Sequence, residues 1–200
     1  MLAPSLISAP ASTPVSLSEA KAHLRLDFDD EDTIVGAYLA AAIAHLDGPD
    51  GVLARALVSQ TWRQDFKAWP DDCGKLRLPL APVSAIGSVK YSDAQNVEQT
   101  VTASGNYTLG HDERGAYVRF TSTFAFPSLY EERDDRVRVE FTAGYGSASD
   151  VPAALKSAIL LMVADLYAAR ESFSNTGASA AVSTSVPVNF LLQPYRRVWG

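Results

Sequence analysis

Residues 150–173, DVPAALKSAILLMVADLYAARESF, predict the longest helix of the chain. At ~1.5 Å per residue this helix would span ~35 Å, which is about the diameter of a small domain. Asp150 suits the N-cap, and Pro152 suits the first turn, where its missing N–H costs nothing. Large apolar residues recur on one face at helical spacing: Leu155, Ile159, Met162, Leu166 and Phe173. Leu160, Val163 and Tyr167 widen this surface, so the helix either forms the centre of the core or also meets another subunit.

The opposite side of this helix carries Ser157, Leu161 and Asp165. Because these positions lie away from Leu155 and Ile159, they are candidates for a contact with another subunit. Asp165 is also a candidate for a functional carboxylate with a shifted pKa. A pairing or subunit-contact role is the favoured interpretation, because no second catalytic group accompanies it.

The composition is that of an ordinary soluble globular chain, with 200 residues, 47% hydrophobic and 20% charged. No apolar run approaches the ~20 residues that a bilayer-spanning helix needs, so no membrane association is predicted. Residues 1–14 lack a basic region, and Pro4 and Pro10 interrupt their apolar run. We therefore predict a flexible arm rather than a signal peptide.

The net charge of −6 argues against a dedicated nucleic-acid-binding protein, which would need a basic face. It is compatible with a wall past which DNA slides without specific binding. Cys73 is the only cysteine, which excludes an internal disulfide and a multi-cysteine zinc site. Folding in the cytoplasm is the default expectation.

Two helices are predicted before the β-rich region. Ser16 and Glu19 form a capping-box pattern, so a short helix is expected from there to about Leu26. The acidic run at residues 27–32 resembles a calcium loop, but Asp32 and Tyr38 stand where that loop needs Gly and Glu. A second helix is expected over residues 31–46, with one apolar stripe and several alanines that allow close packing. The stripe consists of Val35, Leu39, Ala42 and Leu46.

From residue 57 to residue 146 the apolar period changes to two, which predicts an antiparallel meander or small barrel. The expected fold is therefore α+β, a helical scaffold with an antiparallel β-rich insert. The predicted segments are a flexible arm (1–14), the first part of the helical scaffold (15–51), the β-rich insert (52–146), the long scaffold helix (147–173), a flexible linker (174–186) and a docking tail (187–200).

The docking tail is rich in apolar and aromatic residues although it follows a small polar linker. These side chains are costly to leave in water, so they are expected to dock. A groove on a neighbouring protein is favoured over the chain's own body, because the linker gives reach. Deletion of residues 186–200 is then expected to leave thermal stability nearly unchanged.

No catalytic constellation is visible in the sequence. His23, His45 and His111 are the only histidines, and surface or helix-end positions explain them better than metal ligation does. The chain lacks a nucleophile-elbow motif, a phosphate-binding loop, a zinc-protease motif and a dinucleotide-binding fingerprint. We therefore predict no catalytic residues, no cofactor and no metal.

The chain resembles the head-to-tail connector (adaptor) proteins of long-tailed phages and phage-derived gene transfer agents. Five stretches in the same order carry the resemblance: SLSEAKAHLRLDFDDEDTIVGAYLAAAIAHL (16–46), ALVSQTWRQDF (56–66), LPLAPVSAIGSVKYSD (78–93), VEFTAGYGSASDVPAALKSAILLMVADLYAARE (139–171) and LLQPYRRVWG (191–200). Together they cover most of the chain from Val15 onward.

The resemblance implies a structural protein made in the bacterial cytoplasm and built into the particle at the head–tail junction. There it would form a dodecameric ring beneath the portal ring, extend the DNA channel and meet a neck or tail-terminator protein. The expected contacts with the portal are Phe190, Leu191, Leu192, Pro194, Tyr195, Arg196, Arg197, Val198 and Trp199. The alternatives are a small enzyme with a β-barrel active site and a monomeric binding module.

Overall fold

The computed structural model describes residues 2–70, 74–169 and 186–196. It confirms the predicted α+β class, with helices and antiparallel sheets in comparable amounts. The elements in chain order are β1 (Ser5–Ser8), α1 (Leu17–Leu24), α2 (Asp32–Leu46), β2 (Gln60–Phe66), β3 (Lys75–Arg77), β4 (Val83–Ser92), β5 (Glu98–Thr100), β6 (Tyr107–Asp112), β7 (Gly115–Phe120), β8 (Val137–Ala143), α3 (Ala153–Ala169) and α4 (Val186–Leu192).

The first two helices form where the sequence predicts them, and the first has the predicted capping box, whereas Glu31 stands at the N-cap of α2 without a side-chain capping bond. Ser16 Oγ accepts a hydrogen bond from the backbone N–H of Glu19 at 3.1 Å, and the Glu19 carboxylate accepts one from the Ser16 N–H at 2.7 Å. This reciprocal pair satisfies two of the donors that a helix start leaves free. In α2 the buried residues are those of the predicted stripe: Val35, Leu39, Ala42 and Leu46.

The long helix α3 packs against α1, α2 and α4. Its buried residues are Leu155, Ala158, Ile159 and Val163, whereas Met162 and Leu166 of the predicted face are only half-buried. The buried face is therefore rotated toward Ala158 and Val163, because helices approach α3 from more than one side. The Tyr167 hydroxyl donates a hydrogen bond to the Glu31 carboxylate, so the end of α3 lies beside the start of α2.

Asp150 does not cap α3 as predicted. It ends a short 3₁₀ turn at Ala148–Asp150, and its carboxylate accepts hydrogen bonds from the N–H and hydroxyl of Ser147 at 2.8 and 2.7 Å. Pro152 follows, and the helix begins at Ala153. Its carboxylate thus bonds to donors of the preceding turn, and Asp150 lies three residues before the first residue of α3.

The β region forms two antiparallel sheets. The larger sheet has the strand order β1-β2-β8-β4-β5, and the smaller has the order β3-β7-β6. β8 is the central strand of the larger sheet. Its Phe141 lies opposite Trp62 of β2 on one side and opposite Ile86 of β4 on the other. The buried residues of both sheets form one apolar cluster, and the helices form a second cluster with Val15, Leu53 and Leu57.

The N-terminal arm was predicted to be flexible, and for residues 2–8 that prediction is wrong. β1 pairs antiparallel with β2, with Leu6 opposite Trp62. The buried Gln64 side chain donates a hydrogen bond to the Leu2 carbonyl at 2.7 Å, and the Leu2 N–H donates to the Asp65 carbonyl at 3.1 Å. The arm is ordered because it covers the open edge of β2 and satisfies backbone groups there.

Candidate assembly surfaces

The C-terminal segment packs on its own subunit. In α4, Val188 and Leu192 lie one helical turn apart and are 0% and 1% exposed within the helical cluster. Leu191 is half-buried against the same cluster. Leu192 was predicted to contact a partner, and its burial contradicts that role. Its position four residues after Val188 places both side chains on the face that meets α3.

Arg55 fixes the end of this segment. Its Nε donates a hydrogen bond to the Tyr195 carbonyl at 2.7 Å, and a terminal nitrogen donates to the Tyr145 hydroxyl at 3.3 Å. Burial raises the pKa of that Tyr145 hydroxyl, so it remains a neutral partner at physiological pH. Arg55 thus ties the residues after α4 to the loop that joins the helical and β-rich parts.

Other tail residues face the solvent. Val186 and Phe190 are 83% and 73% exposed, and Pro194 and Arg196 are also exposed. Arg196 donates a hydrogen bond to the Asn189 side chain at 2.9 Å. The remaining predicted contacts, Arg197, Val198 and Trp199, lie outside the described residues. Within residues 187–196, the structure therefore anchors Val188, Leu192 and the Tyr195 carbonyl on their own subunit and exposes Phe190, Pro194 and Arg196 to solvent.

The three subunit-contact candidates on α3 lie on its outward side. Ser157 and Asp165 are exposed, and Leu161 is half-buried against the helical cluster. Two of the three candidates are therefore exposed and the third is partly covered by its own subunit, so their contact with another subunit stays a prediction.

α2 exposes a face that carries no Asp, Glu, Lys or Arg, and it contains the alanines that the sequence analysis identified as allowing close packing. Most of its outward residues are small or apolar, and His45 stands at its C-terminal end: Thr33, Ile34, Ala37, Ala40, Ala41, Ala44 and His45. A helix on the surface of a monomer normally shows charged or polar residues there. The predicted stripe already placed most of the alanines on the opposite side of α2, and the structure confirms that Ala37, Ala40, Ala41 and Ala44 are exposed.

Several surface carboxylates are held by neighbouring cations. Arg77 makes a two-point contact with Asp112 at 2.8 and 2.9 Å and holds the pKa of that carboxyl well below its usual range. Arg133 lowers the pKa of Asp135 to about 2 in the same manner. These pairs make parts of the surface locally neutral in an acidic chain. The Arg77–Asp112 pair joins the two outer strands of the smaller sheet, β3 and β6, whereas Arg133 and Asp135 belong to the same loop.

The described histidines and acidic residues do not form a metal centre. No group of three or more potential metal ligands occurs within residues 2–70, 74–169 and 186–196. His111 lies with a ring nitrogen 3.2 Å from the Val83 carbonyl, so its nearest contact is structural. In the same part of the chain no helix has the length and apolar character needed to cross a membrane.

Solved structures of gene transfer agent (GTA) particles contain chains similar to this one. A chain from the neck of the empty GTA particle, computed with C6 symmetry, is 28% identical with a TM-score of 0.76. A chain from the virion of the native GTA particle has the same identity and TM-score. A chain from the neck of the native GTA particle, computed with C12 symmetry, is 28% identical with a TM-score of 0.74. Each comparison covers 100% of this chain and 97% of the other. No family model and no curated protein matches the sequence.

Proposed function

We propose that this chain is a structural adaptor in the neck of a phage-like particle, where twelve copies form a ring beneath the portal. The observation that carries this proposal is the similarity, over the full length of the chain, to chains in the necks of GTA particles. The C12 symmetry applied to one of those necks supports the number of copies. In this role the protein is made in the bacterial cytoplasm, joins the head to the tail and performs no catalysis.

The surfaces of the chain are suited to a ring. A ring interface is heterologous, so each subunit needs two different complementary patches. The uncharged outer face of α2 and the exposed residues of α4 are two such patches on one subunit. A monomeric binding module would leave both patches in water, which disfavours that alternative.

Attachment to the portal is assigned to the residues that follow the anchored segment. Val188, Leu192 and the Arg55–Tyr195 hydrogen bond hold α4 on its subunit, so the residues proposed to contact the portal follow an anchored part of the chain. Large apolar groups in pockets carry most interface energy, which makes Val198 and Trp199 the anchors. Arg196 and Arg197 pair with acidic groups of the portal and fix the register.

The interior of the ring extends the DNA channel without specific binding. A net charge of −6 disfavours tight contact with phosphate groups, so DNA can pass. The opposite face of the ring meets a neck or tail-terminator protein. No membrane takes part in this assembly.

The test is deletion of the gene in the producing bacterium, followed by electron microscopy of the particles. We expect DNA-filled heads without tails, and we expect a plasmid copy of the gene to restore tailed particles that contain the chain. Tailed particles in the deletion strain, or restored particles that lack the chain, would refute the proposal.

A further inference from the structure

Two helices of the helical layer expose uncharged faces on different sides of α3. Both α2 and α4 contact α3, whereas no comparable contact joins α2 to α4 within the described residues. Each of these helices buries one apolar face in the shared cluster and turns the other face outward. The two outward faces belong to separate flanks of the same layer.

The flank formed by α4 carries large apolar side chains. Val186 and Phe190 lie one turn apart and point away from the buried Val188 and Leu192. Gln193 and Pro194 continue the exposed side after the helix. A seven-residue helix that is apolar on both faces is costly in water. The buried face accounts for its packing on α3, and the outer face leaves Val186 and Phe190 exposed to solvent in the isolated subunit.

The flank formed by α2 is shaped differently. Ala37, Ala40, Ala41 and Ala44 form its outward surface, and Ile34, 37% exposed, stands at one end. Between Asp32 and Asp47 the helix carries no Asp, Glu, Lys or Arg. Alanines leave shallow space between turns and allow another helix to approach closely. This surface can receive large side chains without burying a charged group of α2.

We propose that the outer face of α4 in one copy packs on the outer face of α2 in the next copy around the ring. The inference rests on the proposed function, because it requires neighbouring copies. Large side chains on one flank meet small ones on the other, and neither helix face contributes a charge. Because the two patches differ and lie on separate flanks, the contact is heterologous and propagates from copy to copy. Phe190 then belongs to the subunit interface rather than to the portal contact.

Cysteine cross-linking in purified particles tests this arrangement. In a Cys73→Ser background, Ala41→Cys places a thiol on the α2 face, and Gln193→Cys places one beside Phe190 while leaving Phe190 intact. A short bis-maleimide should give the double variant a ladder of covalent dimers, trimers and larger species. Each single variant should remain monomeric, because a head-to-tail contact brings each thiol to a different surface.

The matched control is Ala41→Cys with Ser104→Cys, whose second thiol lies on an exposed turn of the β-rich part. Particles that contain the chain but give no ladder with the Ala41–Gln193 pair would overturn the inference and leave the proposed function intact. A ladder from the Ala41–Ser104 control pair alone would also overturn the inference and leave the proposed function intact. Absence of the wild-type chain from the particles would refute the proposed function, and the inference with it.

A second readout uses substitutions on the two faces of α4. Phe190→Asp should keep the melting temperature of the isolated subunit and lower its incorporation into particles at least tenfold. Val188→Asp should unfold the subunit, because it places a charge in the helical cluster. Normal incorporation of a folded Phe190→Asp variant would overturn the inference.

Discussion

At the scale of single residues, the turn between β8 and α3 depends on a backbone conformation that favours glycine. Gly144 has a φ of 129°, and a Cβ placed on it would lie 2.5 Å from the Val58 carbonyl oxygen. We expect Gly144→Ala to lower the free energy of unfolding by at least about 2 kcal/mol, through backbone strain and this clash. Urea unfolding measures the change.

Gly36 provides the control for that substitution. It lies within α2, and nothing stands within 4 Å of a Cβ placed there. Gly36→Ala should therefore raise the free energy of unfolding by about 1 kcal/mol, because alanine favours the helix. Equal effects of the two substitutions would contradict the assigned role of Gly144.

The shifted pKa of the Asp47 carboxyl, at the end of α2, leads us to expect a specific pH dependence of stability. Burial raises the pKa of its carboxyl, although the Leu57 N–H and the Gln60 side chain donate hydrogen bonds to it. A carboxyl with a raised folded pKa favours the protonated form in the folded state. Its contribution to stability is thus largest below its ordinary pKa and declines as the pH rises through the folded pKa.

Asp47→Asn removes this titration. The stability of the variant relative to wild type should increase as the pH rises from about 4 through the window just above the ordinary carboxyl pKa. Urea unfolding at a series of pH values measures the difference. A difference that is constant across the window, or that changes in the opposite direction, would show that burial of Asp47 does not control the titration.

At the scale of elements, local patterns predicted the helices better than they predicted what covers an edge or a groove. The stripe of α2 and the Ser16–Glu19 capping box formed as expected, because both depend on residues within a few turns. β1 was missed because its partner β2 lies more than 50 residues away and nothing local in residues 5–8 indicates that pairing. The burial of Leu192 was missed because it depends on a groove beside α3 that exists only in the folded layer.

The burial of α4 on its own subunit reverses the sequence-based expectation that deleting the tail leaves thermal stability nearly unchanged. Deletion of residues 186–200 removes the buried Val188 and Leu192 and the Arg55 hydrogen bond to Tyr195. Burial of two such side chains stabilises by about 3–6 kcal/mol, so the melting temperature should fall strongly. Deletion of residues 197–200 alone should leave the melting temperature nearly unchanged and abolish attachment to the head. Equal melting temperatures for the two truncations would contradict the packing of α4.

At the scale of the whole molecule, the layers separate the buried residues that keep the fold from the exposed residues that are proposed to make assembly contacts. The helical cluster draws one face from each of α2, α3 and α4, and their outer faces remain available to other copies. The β-rich part has its own apolar core, formed by buried residues of both sheets. The packing of this core does not depend on the outward faces of the helices. Substitutions on outward helix faces should therefore affect assembly without unfolding the chain.

Two neighbouring positions on α3 test this separation. Ile159 is fully buried in the helical cluster, so Ile159→Glu should unfold the subunit by burying an unpaired charge. Leu161 is half-buried on the outward side, where its glutamate can reach water, so Leu161→Glu should keep a folded subunit with a modestly lower melting temperature. The sequence analysis predicts that this side of α3 also meets another subunit, in which case the Leu161→Glu carboxylate loses its water on assembly and incorporation into particles should fall. Circular dichroism of the subunit and quantitative immunoblots of purified particles measure the two effects. Equal loss of folding in both variants would place Leu161 in the core, and normal incorporation of the folded Leu161→Glu variant would place this side of α3 outside the subunit contact.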